Sequence, residues 1–342
     1  MGYLFKAKQL LSKIFLLSIP FLLLIASYII FDPFWVLYQY PDFADNLITI
    51  PNRDYVSTEM YINTSAKRKY TSFILGNSRT MAFSIRDWRK YTNDSLSFHY
   101  DASGESLFGI WKKLLFIEQH SQEINNALLI VDSELLAEVK DFDSHFRRKD
   151  PRITGEWPFA FHFSFLKAYF SDLFFFSYYQ KRFLHKSTSE MDEMFESRRV
   201  HFDPVTNDMS LPDIEQEIHA DSIGFYNRNK RLWPRNAKPT VAQSVTGAEQ
   251  IQQLVAIHNI FKKHHTKYQI VISPMYEQVV FNPADLSCMQ RIFGAEHVHD
   301  FSGVNKFTQV VGNYYEDMHY RPSVGREIMR EIYTSKPIDS SK

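Results

Sequence analysis

The chain has 342 residues, and its 39 Lys+Arg balance 39 Asp+Glu, which allows one large or two modest domains and removes the net positive field expected of a nucleic-acid binder. A single cysteine, Cys288, excludes an intramolecular disulfide framework and any multi-cysteine zinc or iron–sulfur cage. Aromatic residues make up 16% of the chain, enough for a large core and incompatible with disorder over most of the length.

Residues 14–31 (IFLLSIPFLLLIASYIIF) carry no charge and have about the minimum length of a bilayer-spanning helix. Lys6, Lys8 and Lys13 precede the run and Asp32 follows it. The positive-inside rule therefore predicts a cytoplasmic tail over 1–13, an anchor over 14–36 and the rest of the chain outside. Trp35, Tyr38 and Tyr40 suit the far interface. A cleaved signal peptide is the competing reading, opposed by the length of the apolar run and the lack of a small-x-small site before Asp32. Pro20 is tolerated in lipid-spanning helices. A short lysine-flanked anchor without a lipid-attachment cysteine fits a bacterial inner membrane, with the main domain periplasmic or extracytoplasmic.

After a linker over 37–70, short apolar runs alternate with helical patterns. Strands are expected at 71–75 (TSFIL), 97–100, 127–131 (ALLIV), 268–272 (YQIVI) and, more weakly, 297–301. Leu107, Ile110, Trp111, Leu114 and Leu115 form one helical stripe; residues 245–263 and 322–333 carry others. Continuous β-rich runs imply strands covered on both faces, hence a three-layer α/β domain with a mostly parallel sheet, built from 71–138 and 241–335 and followed by a tail at 336–342. Between them, 139–240 breaks the rhythm as an insertion that opens with the aromatic tract 157–183. Its PFAFHFSF portion alternates with period two, while the later half spaces aromatics around a helix. The insertion is expected to be helical, with helices packing their aromatics onto the core as the ordinary reading; a dip into the bilayer near the anchor or an acyl-chain cleft is the alternative. Lys167, Asp172, Lys181 and Arg182 exclude a second span.

Two blocks carry candidate chemistry. Gly76-Asn77-Ser78-Arg79-Thr80 follows the first strand, which puts a hydroxyl at the carboxyl end of the sheet, where open α/β folds bind ligands. A helix opening there would aim free N–H groups at an oxyanion, although serine in such a turn also serves as an N-cap. Glu316-Asp317-Met318-His319 precedes the last helix. Either carboxylate can reach the imidazole Nδ1 and leave Nε2 to take a serine proton; a solvated acidic loop before Pro322 is the plainer reading.

Together these blocks, with Ser103-Gly104 after the second strand, resemble the SGNH (GDSL-like) hydrolase superfamily, in particular its divergent membrane-anchored envelope members. The likeness lies in three short blocks across residues 71–335. It implies a flavodoxin-like α/β/α sandwich with Ser78 as nucleophile and His319 as general base. Glu316 is the acid by spacing and Asp317 the alternative. Gly104 and Ser78 would supply oxyanion N–H groups. Asn77 stands where the family commonly has Asp. The oxyanion Asn is missing, because the third block reads Val131-Asp132-Ser133-Glu134; loss of such a donor costs roughly a hundredfold or more in rate.

Asn77, Arg79 and Arg321 flank these blocks and are candidate contacts to an anionic or sugar substrate, or else partners of carboxylates. His264, His265, His297 and His299 lack a ligand set, so no metal and no cofactor are expected. The expected function is a membrane-anchored serine esterase or O-acyltransferase on acylated envelope glycans or glycolipids. The alternative is a weak or inactive SGNH-like module that binds glycan or a membrane-bound acyltransferase partner.

Overall fold

All five expected strands form in one parallel sheet; the first three are buried along their whole length, whereas the last, at 298–300, is exposed at Asp300. The computed structural model describes residues 2–41, 43, 48–120, 123–186, 200–229, 235 and 238–334; the expected tail at 336–342 lies outside them. In chain order the elements are α1 (Gly2–Phe31), α2 (Arg53–Arg68), β1 (Ser72–Gly76), α3 (Ile85–Thr92), β2 (Ser97–His99), α4 (Leu107–Gln119), β3 (Asn126–Val131) and α5 (Ser133–Ala137). The insertion holds α6 (Pro151–Thr154), α7 (Pro158–Tyr169), α8 (Asp172–Leu184), β4 (His201–Phe202), β5 (Met209–Ser210), α9 (Pro212–Ala220) and α10 (Ser222–Asn229). Then follow α11 (Ala248–Lys263), β6 (Lys267–Ile272), α12 (Pro283–Phe293), β7 (Val298–Asp300) and α13 (Pro322–Thr334).

The sheet order is β2-β1-β3-β6-β7, all parallel, while β4 and β5 form a separate antiparallel pair. Strand order reverses between β1 and β3, the point at which open α/β sheets leave a crevice. Alternate residues of each strand enter two cores. Phe73, Leu75, Leu129 and Ile270 meet Met60 and Tyr61 of α2, Leu114 of α4 and Ile257 of α11. Ile74, Leu128, Ile130 and Val271 meet Trp88 of α3 and Ile328 and Met329 of α13.

Helix α1 is long and apolar enough to cross a membrane. It stops at Asp32, whose carboxylate accepts from the backbone N–H groups of Val36 and Leu37 at 3.0 and 2.8 Å. The aromatic tract becomes α7 and α8, with its period-two portion helical throughout. Pro158 opens α7 at a position where its missing N–H is harmless, and apolar residues on both faces of one helix imitate alternation.

Helix α2 lies in the 37–70 linker and is polar in sequence but buried, because its charges are paired. Arg53 grips Asp101 through Nε and Nη2, the latter at 2.7 Å, and donates from Nη1 to Asn207 Oδ1. Buried Lys113 sits 2.6 Å from Glu105 and 2.9 Å from Asp54; buried Lys149 lies 2.6 Å from the other Glu105 oxygen. These pairs clamp both ends of the loop 101–105, which carries Gly104. Removing one partner of a buried pair strands its charge, so Lys113→Met is expected to lower stability by roughly 3–5 kcal/mol, read by denaturant unfolding of the full chain in detergent.

Next to this cluster, burial pushes the Asp141 carboxyl up to about 6, against the pull of the Lys149 and Phe142 N–H groups. Its unfolded value is about 3.9, so the folded state holds the proton more tightly. Stability from this group is full below about pH 4 and is lost as pH rises through 6. Asp141→Asn is therefore expected to melt higher than the parent at pH 8, with the advantage vanishing below about pH 4. A constant difference across that range would contradict the assignment.

Candidate active site

At the carboxyl end of β1 the chain must turn sharply past β3. Gly76 has φ +149°, and a Cβ there would lie 2.4 Å from the Ile130 carbonyl oxygen, so only glycine fits. After Asn77, the five residues Ser78–Ala82 form a 3₁₀ turn. Asn77, not Ser78, caps it: the Asn77 side chain accepts from Arg79 N–H at 3.1 Å, and its carbonyl takes Thr80 N–H at 3.0 Å. The cap leaves the Ser78 hydroxyl free for another partner, and of the first amides in the turn only that of Ser78 is left for a ligand.

That partner arrives from the far end of the sequence. Tyr314 and Tyr320 bridge in antiparallel fashion, and Tyr315 N–H donates to the His319 carbonyl at 2.9 Å, so residues 315–319 form a tight loop. Within it Glu316 Oε2 accepts from Met318 N–H at 2.9 Å, and Glu316 Oε1 bonds His319 Nδ1. His319 Nε2 then lies 2.7 Å from Ser78 Oγ. Burial works against the Glu316 charge, yet the His319 bond and charge hold its carboxyl below the ordinary glutamate range. Burial and then the Glu316 charge push Asp317 the other way. The carboxylate that orients the ring is thus Glu316, while Asp317 lines the adjoining cavity.

This cavity, about 460 Å³, opens at the carboxyl ends of β3 and β6 and is lined by Arg79, Asp132, Ser133, Glu134, Glu277 and Asp317 among others. Arg79 donates from Nη1 to Asp132 at 2.8 Å and from Nε to the Met318 carbonyl at 3.2 Å. Asn77 Nδ2 donates to the same Asp132 oxygen at 2.5 Å. Asp132 therefore holds the serine turn and, through Arg79, the histidine loop. Its other oxygen caps α5 at Leu135 N–H. Arg321 instead pairs with Glu215 of α9 through two bonds of 3.0 and 2.7 Å, away from this cavity.

Gly104 has φ +60°, and the Arg147 side chain covers the position where a Cβ would stand. It lies in the clamped loop after β2, while Ser133 stands at the start of α5 on the cavity wall. The insertion also braces the site, with no periodic pattern to announce it: Ile214, Ile218 and Phe225 pack with Met81 of the serine turn and Tyr315 of the histidine loop. Tyr226 also donates to the Tyr314 carbonyl at 2.6 Å. Among the described residues no group of three potential ligands could hold a metal ion.

No protein-family model and no curated protein matches the chain.

A hydroxyl bonded to an imidazole whose far nitrogen is fixed by a carboxylate is an arrangement that can activate serine as a nucleophile. Glu316→Gln should therefore slow fluorophosphonate labelling of Ser78 by roughly 10²–10⁴-fold through loss of the orienting charge, whereas Asp317→Asn should change it by less than about tenfold. The reverse order would transfer the orienting role to Asp317.

Proposed function

We propose that the protein is a membrane-anchored serine esterase or O-acyltransferase of the SGNH type, with a flavodoxin-like sandwich held outside the cytoplasmic membrane by α1. The observation that carries this reading is the chain of contacts from Glu316 through His319 to Ser78, with the Nε2–Oγ distance of 2.7 Å. The sheet order supports the fold assignment, since counted along the sequence of sheet strands it is 2-1-3-4-5.

In this mechanism Ser78 Oγ attacks an ester carbonyl carbon while His319 Nε2 takes the hydroxyl proton. Glu316 stabilises the imidazolium that results. The tetrahedral oxyanion is met by the Ser78 N–H and, on the family analogy, by the Gly104 N–H. Collapse breaks the bond to the alcohol oxygen, which leaves with the proton from His319. Water or a sugar hydroxyl then attacks the acyl group on Ser78, with His319 again the base.

Charge in the cavity narrows the substrate. Arg79 is already paired with Asp132, and Glu134, Glu277 and Asp317 are the other ionisable groups on the described wall of the cavity. An anionic group there meets repulsion, whereas the hydroxyls of a neutral glycan find acceptors. Placement beside an anchor favours an acylated envelope glycan or glycolipid. A membrane-bound acyltransferase could supply the acyl group, and a bacterial inner membrane with the domain in the periplasm is the setting that fits the lysine-flanked anchor.

Full-length protein in detergent should be labelled covalently by a fluorophosphonate probe, and Ser78→Ala and His319→Ala should each abolish the label. A folded parent that takes no label would overturn the enzyme reading and favour a glycan-binding module. Such a module is the reading to which the serine at position 133, in place of an amide donor, already leans.

A further inference from the structure

The helical hairpin α7–α8 is apolar on both faces, yet protein covers only one. Phe161, Phe165 and Tyr169 of α7 and Phe174 and Tyr178 of α8 are buried. On the other side Phe159, Phe163 and Phe176 are 68%, 53% and 70% exposed, and Trp157 and Leu173 are exposed as well; Phe159 and Phe163 border a cleft of about 840 Å³ shared with Asp143, His145 and Arg148. A helix apolar all round belongs in a core or in lipid, and an exposed aromatic surface of this extent marks an interaction face.

What covers it is indicated by its neighbour. The hairpin runs along α1, with Phe31 meeting Tyr179 and Phe183 at 5.8 Å, Tyr28 meeting Tyr169 at 5.0 Å and Phe21 stacking on Phe170 at 6.0 Å. Phe21 lies ten residues before Phe31, about 15 Å along the helix at 1.5 Å per residue. If α1 spans the bilayer, whatever packs against Phe21 is at lipid depth as well. Three of the hydroxyls at this contact are paired, Ser27 Oγ with Tyr169 OH at 2.7 Å and Tyr169 OH with Tyr179 OH at 2.8 Å, while the buried Tyr28 hydroxyl is left without a hydrogen-bond partner among the described residues. Lipid-exposed structure requires internal pairing of this kind. Near the C-terminal end of α1, Arg182 lies over the Phe31 ring at 4.8 Å. Long basic side chains at such positions reach headgroups while their stems stay in the apolar zone.

We propose that the α7–α8 hairpin is a second membrane element, inserted into the outer leaflet beside α1 without crossing it. This inference rests on the reading of α1 as an anchor. The hairpin also orients the site. Phe34 stacks on Phe174 at 4.6 Å and contacts His145 at 5.3 Å, and Asn52 donates to the His145 and Arg148 carbonyls at 2.7 and 2.9 Å. Lys149 then joins this segment to Glu105 in the loop at the carboxyl edge of the sheet. The edge that bears Ser78 is thereby held to the bilayer at two points, which suits a substrate that is itself embedded in the membrane.

The test uses the full chain in a Cys288→Ala background with an environment-sensitive fluorophore on Phe163→Cys or Phe176→Cys. Leu17→Cys in α1 and Glu249→Cys at the start of α11 serve as references. In vesicles of phosphatidylcholine and phosphatidylglycerol containing doxyl-labelled lipid, the labels at 163 and 176 should lose most of their fluorescence, as the label at 17 does, while that at 249 keeps it. Labels at 163 and 176 that behave like 249 while 17 is quenched would overturn the hairpin proposal and leave the anchor standing; a face covered by a second copy gives this same result. An unquenched label at 17 would overturn the anchor and the hairpin together.

Discussion

The candidate site depends on one close approach between the chain's first turn at the sheet and its last helix. At Gly325 in α13 a Cβ would lie 2.0 Å from the carbonyl oxygen of Ala82, the last residue of the serine turn. No residue with a side chain fits there without displacing one backbone from the other. This contact brings segments 241 residues apart in sequence within hydrogen-bond reach. A second tie, from Arg79 to Asp132 and to the Met318 carbonyl, fixes the same two segments from the cavity side. Preorganisation of this kind is what a serine nucleophile needs, because the hydroxyl must already face its base when the substrate arrives.

Around that centre the insertion works in two directions. Its second half braces the serine turn and the histidine loop through Met81 and Tyr315. Its first half packs on the C-terminal end of α1 through Tyr169, Phe170 and Tyr179. Between them the buried charges of Arg53, Asp101, Glu105, Lys113 and Lys149 hold the loop that contains Gly104. Breaking a buried pair is costly, whereas replacing it wholesale with apolar residues often is not. The role of these charges is therefore better sought in fixing the loop's geometry than in net stability.

Much of the sheet was legible because strands buried on both faces read as uninterrupted apolar runs; the five expected positions differ from those observed only at their ends. Ser78, His319 and their pairing were legible from short blocks, but the five-residue turn and the self-closing loop that bring them together were not. Helix α2 escaped notice because Arg53, Asp54 and Glu59 look like surface residues when their partners, more than forty positions away, are unknown. In PFAFHFSF the alternation suits a strand, but the expected helical insertion is what forms, as a helix with two apolar faces. The brace supplied by α9 and α10 left no periodic signal, since it uses isolated residues such as Ile214, Ile218 and Phe225 on short helices.

Acyl transfer to Ser78 is the central claim, and the intermediate itself is its most direct test. Full-length protein exposed briefly to an activated ester, quenched in acid and mapped by peptide mass spectrometry should carry one acyl group on Ser78, and His319→Ala should carry none. An acyl group found on another residue, or equal acylation of the parent and His319→Ala, would contradict the account.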